Sequence, residues 1–486
     1  MEGMPERHPR GIYTLFFTEM WERLSYYGMR ALLVLFMVDS VARGGLGFSD
    51  EVATAIYGLY TAGVYLAALP GGWIADRLLG GQRAVWAGGC LIAAGHFTLA
   101  VPRVSFFFVG LLLVVLGTGL LKPNISTLVG QLYPEGGARR DSGFTLFYMG
   151  INLGAALGPL ICSALGEKLN WHYGFAAAGV GMIAGLIQFR LTRHHLGTAG
   201  LVVPHHPGSP WKAWLGLGIG LSLLLGLTVL SLMGVVTLNP VRLAQRTTAV
   251  IVGLAVAYFL WAFLFAGLEH VQKGRLAVIA ILFLAAALFW SGYEQAGSSL
   301  NLFAERYTDR KINGFEIPAG WFQSLPAVFV ILLAPVVATV WLRLARQGRN
   351  PSLVVKLAWG LLLLAAGFFV LIFGAKRALA NGTVWPTWLC FTYLLHVVGE
   401  LLLSPVGLSS VTKLAPARLA GQMMGVWFLA AALGNLLAGL LAGQVSGTNA
   451  AGMPAQFLHV TLIAGGAGLV LLLCSRPVRR LMGGVT

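Results

Sequence analysis

The chain has 486 residues, 57% of them hydrophobic and only 10% charged, with a mean hydropathy of +0.78. Soluble globular proteins carry about 25% charged residues, so this composition excludes a soluble enzyme and a disordered chain. The formal charge of +16 does not point to nucleic acid either. Its Lys and Arg residues stand in short runs between long apolar segments, not on one face or in an arm. The sequence describes an all-α polytopic membrane protein.

A membrane-spanning helix needs roughly 20 mostly apolar residues. In chain order, such stretches are predicted near 12–40, 53–75, 83–101, 104–129, 142–164 and 171–191, then 211–235 and 246–268. The last six lie near 275–299, 317–342, 352–374, 384–412, 421–445 and 456–475, which makes fourteen. The first stretch is too long for a signal-peptide core, lacks an A-x-A site and holds Glu19, Glu22 and Arg23, so it reads as a mature helix. Alternating loops show a roughly two-to-one excess of Lys and Arg on one side, which places both termini in the cytoplasm.

A polar interruption from Arg190 to Pro210 follows the sixth span. Two plain apolar helices come next, and they look peripheral to any translocation path. The expected organisation is an N-terminal six-helix bundle over 1–193, a linker with two inserted transmembrane helices over 194–274, and a C-terminal six-helix bundle over 275–486. At the inner end of span two stands Gly71-Gly72-Trp73-Ile74-Ala75-Asp76-Arg77-Leu78-Leu79-Gly80. It resembles the loop motif of the major facilitator superfamily, whose fold is two six-helix bundles related by pseudo-symmetry.

Charged side chains within a bilayer are costly and mark functional sites by default. Seven fall away from the ends of predicted spans, toward mid-bilayer: Glu19, Glu22, Arg23, Arg30, Lys122, Glu294 and Glu400. At 100° per residue, Glu19, Glu22, Arg23, Tyr26, Tyr27 and Arg30 share an arc of about 140° on the first helix. One charged face in so apolar a segment favours a wet polar cavity over a purely structural ion-pair cluster. Acids and bases drawn from both halves suit a zwitterionic substrate, with Arg and Lys on a carboxylate and Glu on an ammonium. Pairs that break as the halves move can couple protonation to transport.

The same residues carry a family resemblance. Glu19-x-x-Glu22-Arg23-Leu24-x-Tyr26-Tyr27-Gly28 resembles the ExxERFxYYG motif of the proton-dependent oligopeptide transporter (POT) family. The likeness continues through Leu121-Lys122-Pro123-Asn124, Phe147 to Gly154, Phe289-Trp290 with Glu294-Gln295, Trp321 to Ser324, and Glu400 to Pro405. It covers essentially the whole chain, and the six-plus-two-plus-six layout is that of bacterial members. The resemblance implies proton-coupled import of di- and tripeptides across the cell inner membrane by alternating access. It implies no cofactor beyond the coupling proton, no ATP, and a monomer. Arg23, Tyr27, Tyr65 and Lys122 would hold the peptide carboxylate, and Asn152 and Glu400 its amine. Glu19, Glu22 and Glu294 would carry protons. Arg30–Glu294 and Lys122–Glu400 would close the outer and inner gates, while Tyr26, Trp290 and Trp427 would wall side-chain pockets.

Two positions depart from the family pattern. Leu24 replaces a Phe, and Pro326 stands where an Asn is usual, which leaves open a related carrier of another anion or zwitterion. No GxxxxGK[ST] loop supports a primary pump, and no nucleophile or metal set supports an enzyme. The aromatic residues, taken singly, also fit plain interhelical packing, and Asn152 fits an interhelical clip. His396 reads as a core histidine, and His194, His195, His205 and His206 as part of a solvated loop. Cys90, Cys162, Cys390 and Cys474 stand singly in apolar stretches and read as small buried hydrophobes.

Overall fold

The computed structural model describes residues 7–201, 210–349, 351–444 and 450–483. The fourteen predicted spans appear as fourteen long helices: α1 (Gly11–Val38), α2 (Asp50–Ile74), α3 (Gly81–Leu99), α4 (Val104–Gln131), α5 (Gly137–Lys168), α6 (Trp171–Thr192), α7 (Pro210–Leu232), α8 (Pro240–Leu264), α9 (His270–Tyr293), α11 (Leu325–Arg346), α12 (Leu353–Asn381), α13 (Thr387–Leu414), α14 (Ala420–Ala442) and α15 (Met453–Leu473). Two short helices join them, α10 (Ser299–Tyr307) and α16 (Ser475–Leu481), with a two-stranded antiparallel hairpin of β1 (Lys311–Ile312) and β2 (Phe315–Glu316). Among the described residues, eleven helical segments are long and apolar enough to cross a membrane. The long helix α1 falls outside that set because Glu19, Glu22, Arg23 and Arg30 interrupt its apolar run.

The ninth span differs from the continuous helix expected over 275–299. The chain leaves α9 at Tyr293, makes one 3-10 turn over Glu294–Gly297, and resumes as α10. Side chains take over the backbone groups this break releases. Gln295 Nε2 donates to the Ser291 carbonyl at 3.0 Å, and Ser299 Oγ donates to Gln295 Oε1 at 2.7 Å. Irregular backbone at membrane depth survives only with such partners or facing a cavity.

By internal contacts the chain forms two compact units, one of Met1–Leu32 with Leu66–Asn239, the other of Leu33–Tyr65 with Pro240–Thr486. In the first unit, Ile12, Leu15, Val85, Ile125, Phe147, Met182 and Phe189 belong to one buried cluster. The loop after α2 is held by Gln82, whose side-chain amide donates to the Ala199 carbonyl at 2.7 Å and whose backbone N–H donates to the Gly200 carbonyl. Gly80, at φ +76°, lies against that same Gly200 carbonyl, a place and a backbone angle that suit only glycine.

In the second unit, α12 packs between α13 and α15, and α9 packs on α14. The bidentate Arg306–Asp50 pair (2.7 and 2.8 Å) ties α10 to the start of α2. Helix α8 turns Ala244, Ile251, Ala255 and Ala262 inward and is otherwise largely exposed. Its Tyr258 hydroxyl donates to Gln422 of α14 at 2.9 Å. The most apolar stretch of α7 has no buried residue at all.

The cysteine expectation holds only in part. Cys162 is buried, but Cys90 and Cys474 are exposed. Apolar surroundings in a membrane chain include lipid as well as core, so an apolar neighbourhood does not imply burial. His396 is 1% exposed and packs against the Phe368 ring, as a core histidine does. The His194 and His195 rings meet at a 46° tilt on the short turn after α6, whereas His205 and His206 lie outside the described residues.

Candidate functional site

The charged face of α1 exists because α5 lets the two backbones come close. Gly150, Gly154 and Gly158 fall four residues apart, one helical turn each. A Cβ on Gly154 would stand 2.9 Å from both Arg23 Cβ and the Leu24 nitrogen, and one on Gly158 2.8 Å from the Gly28 nitrogen. Small residues at this spacing are how helices reach contact where no hydrophobic force drives them together. The stripe presses α5 directly behind the charged residues.

On that face Arg23 Nε lies 2.9 Å from Glu19 Oε1 and 2.5 Å from Glu22 Oε2. All three side chains are buried, at 4% exposure or less. One guanidinium thus faces two carboxylates. Two acids and one base leave the triad one negative charge in excess when fully ionised. The Arg23 guanidinium also sits over the Tyr26 ring and that of Arg30 over Tyr27, at 5.3 and 5.5 Å, while the two tyrosines meet edge to face. Such cation–ring contacts help to fix the two guanidinium groups. Lys122, half-buried on α4 just before Pro123, is within electrostatic range of Glu22. Asn152 is buried on α5, and its amide donates back to the Tyr148 carbonyl of its own helix. The first unit therefore groups Glu19, Glu22, Arg23, Tyr26, Tyr27 and Arg30 along α1, with Lys122 of α4 in electrostatic range of Glu22, and carries Asn152 on α5.

The second unit holds the other candidates. Glu294, 5% exposed, opens the 3-10 turn after α9. The Tyr57 hydroxyl of α2 donates to the Glu294 carbonyl at 3.4 Å, and its ring occupies the space beside Gly297. Glu400, on α13, accepts a hydrogen bond from the Tyr293 hydroxyl, and it is within electrostatic range of Glu294. Trp290 packs edge-on to both Phe289 and Tyr293. The six-membered ring of Trp427 on α14 lies beside Gly407 of α13, and Tyr65 is half-buried on α2. Pro326, the departure from the family pattern, sits in the first turn of α11, a position that needs no backbone N–H. Sequence reasoning missed Tyr293, Tyr57 and the Asp50–Arg306 pair. Only the last left a signal, an acid at a predicted helix start.

A profile of the POT family matches residues 82–204 and 222–457. A peptide transporter of Yersinia enterocolitica is 44% identical over 98% of this chain and 95% of its own length. The chain belongs to the POT family. A di-/tripeptide transporter of Lactococcus lactis subsp. cremoris is 37% identical, over 98% of this chain and 97% of the relative. Among solved structures, a variant of a POT peptide transporter in complex with alafosfalin superposes with a TM-score of 0.89 at 40% identity, covering 99% and 98% of the two chains. As a member of this family, the chain is a membrane transporter with the major facilitator fold.

Proposed function

We propose that the protein imports di- and tripeptides with protons by alternating access, as a monomer in the cell inner membrane with both termini cytoplasmic. The observation that carries this reading is the buried Glu19–Arg23–Glu22 triad in a chain that resembles named peptide transporters from end to end. Arg23, Tyr27, Tyr65 and Lys122 hold the peptide carboxylate; Asn152 and Glu400 meet its amine. Glu19, Glu22 and Glu294 carry the proton. Arg30 with Glu294, and Lys122 with Glu400, are the ion pairs that close the two gates, and each breaks when its acid takes a proton or meets substrate. Tyr26, Trp290 and Trp427 wall the side-chain pockets. The bundles span 1–193 and 275–486, with 194–274 inserted.

Purified protein in liposomes is expected to accumulate a labelled dipeptide when the inside is alkaline. Unlabelled di- and tripeptides should compete, whereas single amino acids and nitrate should not. Intact protein that shows no gradient-dependent accumulation overturns the reading. Competition by nitrate or amino acids alone moves the assignment to another anion or zwitterion, the alternative that Pro326 keeps open.

The carboxylate assignment has its own test. Arg23→Ala and Lys122→Ala should each weaken free-carboxylate peptides by roughly tenfold or more relative to C-terminally amidated ones, since each removes a charge-assisted hydrogen bond. Equal losses for both peptide classes refute it.

A further inference from the structure

Tyr293 belongs to neither the family motif nor the set of charged residues, yet it joins two of them. It is the last residue of α9, immediately before the turn that Glu294 opens, and its hydroxyl donates to Glu400 Oε2 on α13. Two contacts deliver that hydroxyl. One turn earlier, Phe289 stacks on the Tyr293 ring at 5.6 Å with an interplanar angle of 22°. Phe289 in turn seats beside Gly399, the residue preceding Glu400, where a Cβ would stand 3.4 Å from its ring and 2.8 Å from the Gly360 carbonyl. Trp290 closes the other side, edge-on to Tyr293 at 5.5 Å. The ring is therefore held by packing, and its hydroxyl donates to one carboxylate oxygen.

We infer that Tyr293 is a positioning residue. It holds Glu400 with one oxygen engaged and the other presented to the substrate ammonium, and it transmits movement of the Glu294 turn to that carboxylate. This rests on the assignment of Glu400 to the peptide amine. The physical basis is the adjacency of Tyr293 and Glu294 in the chain. A change in the backbone of the Glu294–Gly297 turn shifts the end of α9, and the Tyr293 hydroxyl is a polar link from that end to α13. Proton occupancy of one acid and substrate occupancy of the other are thus connected through one side chain. A hydrogen bond to an ionised group is worth more than one between neutral groups, so its loss is measurable.

The test compares Tyr293→Phe, Glu400→Gln and the double variant in counterflow, with competition by dialanine and by N-acetyl-dialanine. Phenylalanine keeps the stack on Phe289 and the edge contact with Trp290, so the fold is retained. Tyr293→Phe should shrink the preference for the free-amine peptide about tenfold, and the double variant should show no further loss beyond Glu400→Gln. A purely structural role lowers both affinities together and leaves the preference unchanged. If Glu400→Gln abolishes the preference while Tyr293→Phe preserves it, the positioning role is overturned and the amine assignment stands. Should Glu400→Gln itself preserve the preference, the amine assignment fails and takes the role of Tyr293 with it.

Discussion

Glu294→Gln is expected to abolish uphill accumulation of peptide while leaving counterflow exchange running. The amide has the size of the carboxyl and keeps one acceptor oxygen, so the packing of the turn is preserved. What it removes is the ability to gain and lose a proton. Exchange of peptide for peptide needs no net proton cycle, but accumulation does. A gradient of one pH unit is worth about 1.4 kcal/mol, or roughly tenfold accumulation for each coupled proton. In the variant that factor falls to one at any imposed gradient. The measurement is paired uptake in liposomes, once with a pH gradient and once with internal unlabelled peptide. Retained accumulation removes Glu294 from the proton path and leaves the Glu19–Glu22 pair as the carrier.

The position of Glu294 gives this expectation its weight. A buried acid in the middle of a regular helix is restrained only by its own rotamers. Here the acid opens a single turn whose backbone is irregular, whose Gln295 is tied to Ser291 and Ser299, and whose carbonyl is touched by Tyr57. Discontinuous helices recur in secondary transporters because their broken ends form substrate and coupling-ion sites.

The fold was legible where it depends on length and charge. Fourteen apolar runs became fourteen long helices because a bilayer leaves a spanning chain little alternative to satisfying its own backbone. The arc on α1 was legible for the same reason: at 100° per residue, Glu19, Arg23 and Tyr26 must share a face, and the ion pairs and ring contacts follow from that. The break after Tyr293 was not legible. Apolar and small residues continue through Ala296 and Gly297, and hydropathy averages over the very residues whose backbone turns aside. The Tyr293–Glu400 bond joins residues 107 apart in the chain. It depends on the packing of α9 on α13, where Phe289 sits beside Gly399, and on no local pattern. The exposed Cys90 and Cys474 show the opposite limit, since an apolar stretch in a membrane protein does not say which side of it meets lipid.

The largest effect on the folded protein is expected from Gly154→Val. Nothing titratable changes, and the side chain is a common one in membrane helices. Yet even its first carbon meets Arg23 Cβ and the Leu24 nitrogen at 2.9 Å, and the two branches reach further. Neither neighbour is the far end of a flexible side chain. One is backbone, and the other is the root of a guanidinium locked between two carboxylates. Relief therefore requires α1 and α5 to separate. Overpacking of this kind costs about 1–3 kcal/mol or more, and separation also loosens the Glu19–Arg23–Glu22 triad, so stability and peptide binding should fall together. The matched control is Gly226→Val on α7, where an added Cβ meets nothing within 4 Å. Thermal unfolding in detergent should show a midpoint several degrees lower for Gly154→Val and unchanged for Gly226→Val, with transport lost only in the first. If the two substitutions behave alike, glycine is not what brings the charged face of α1 against α5, and the triad owes its geometry to some other contact.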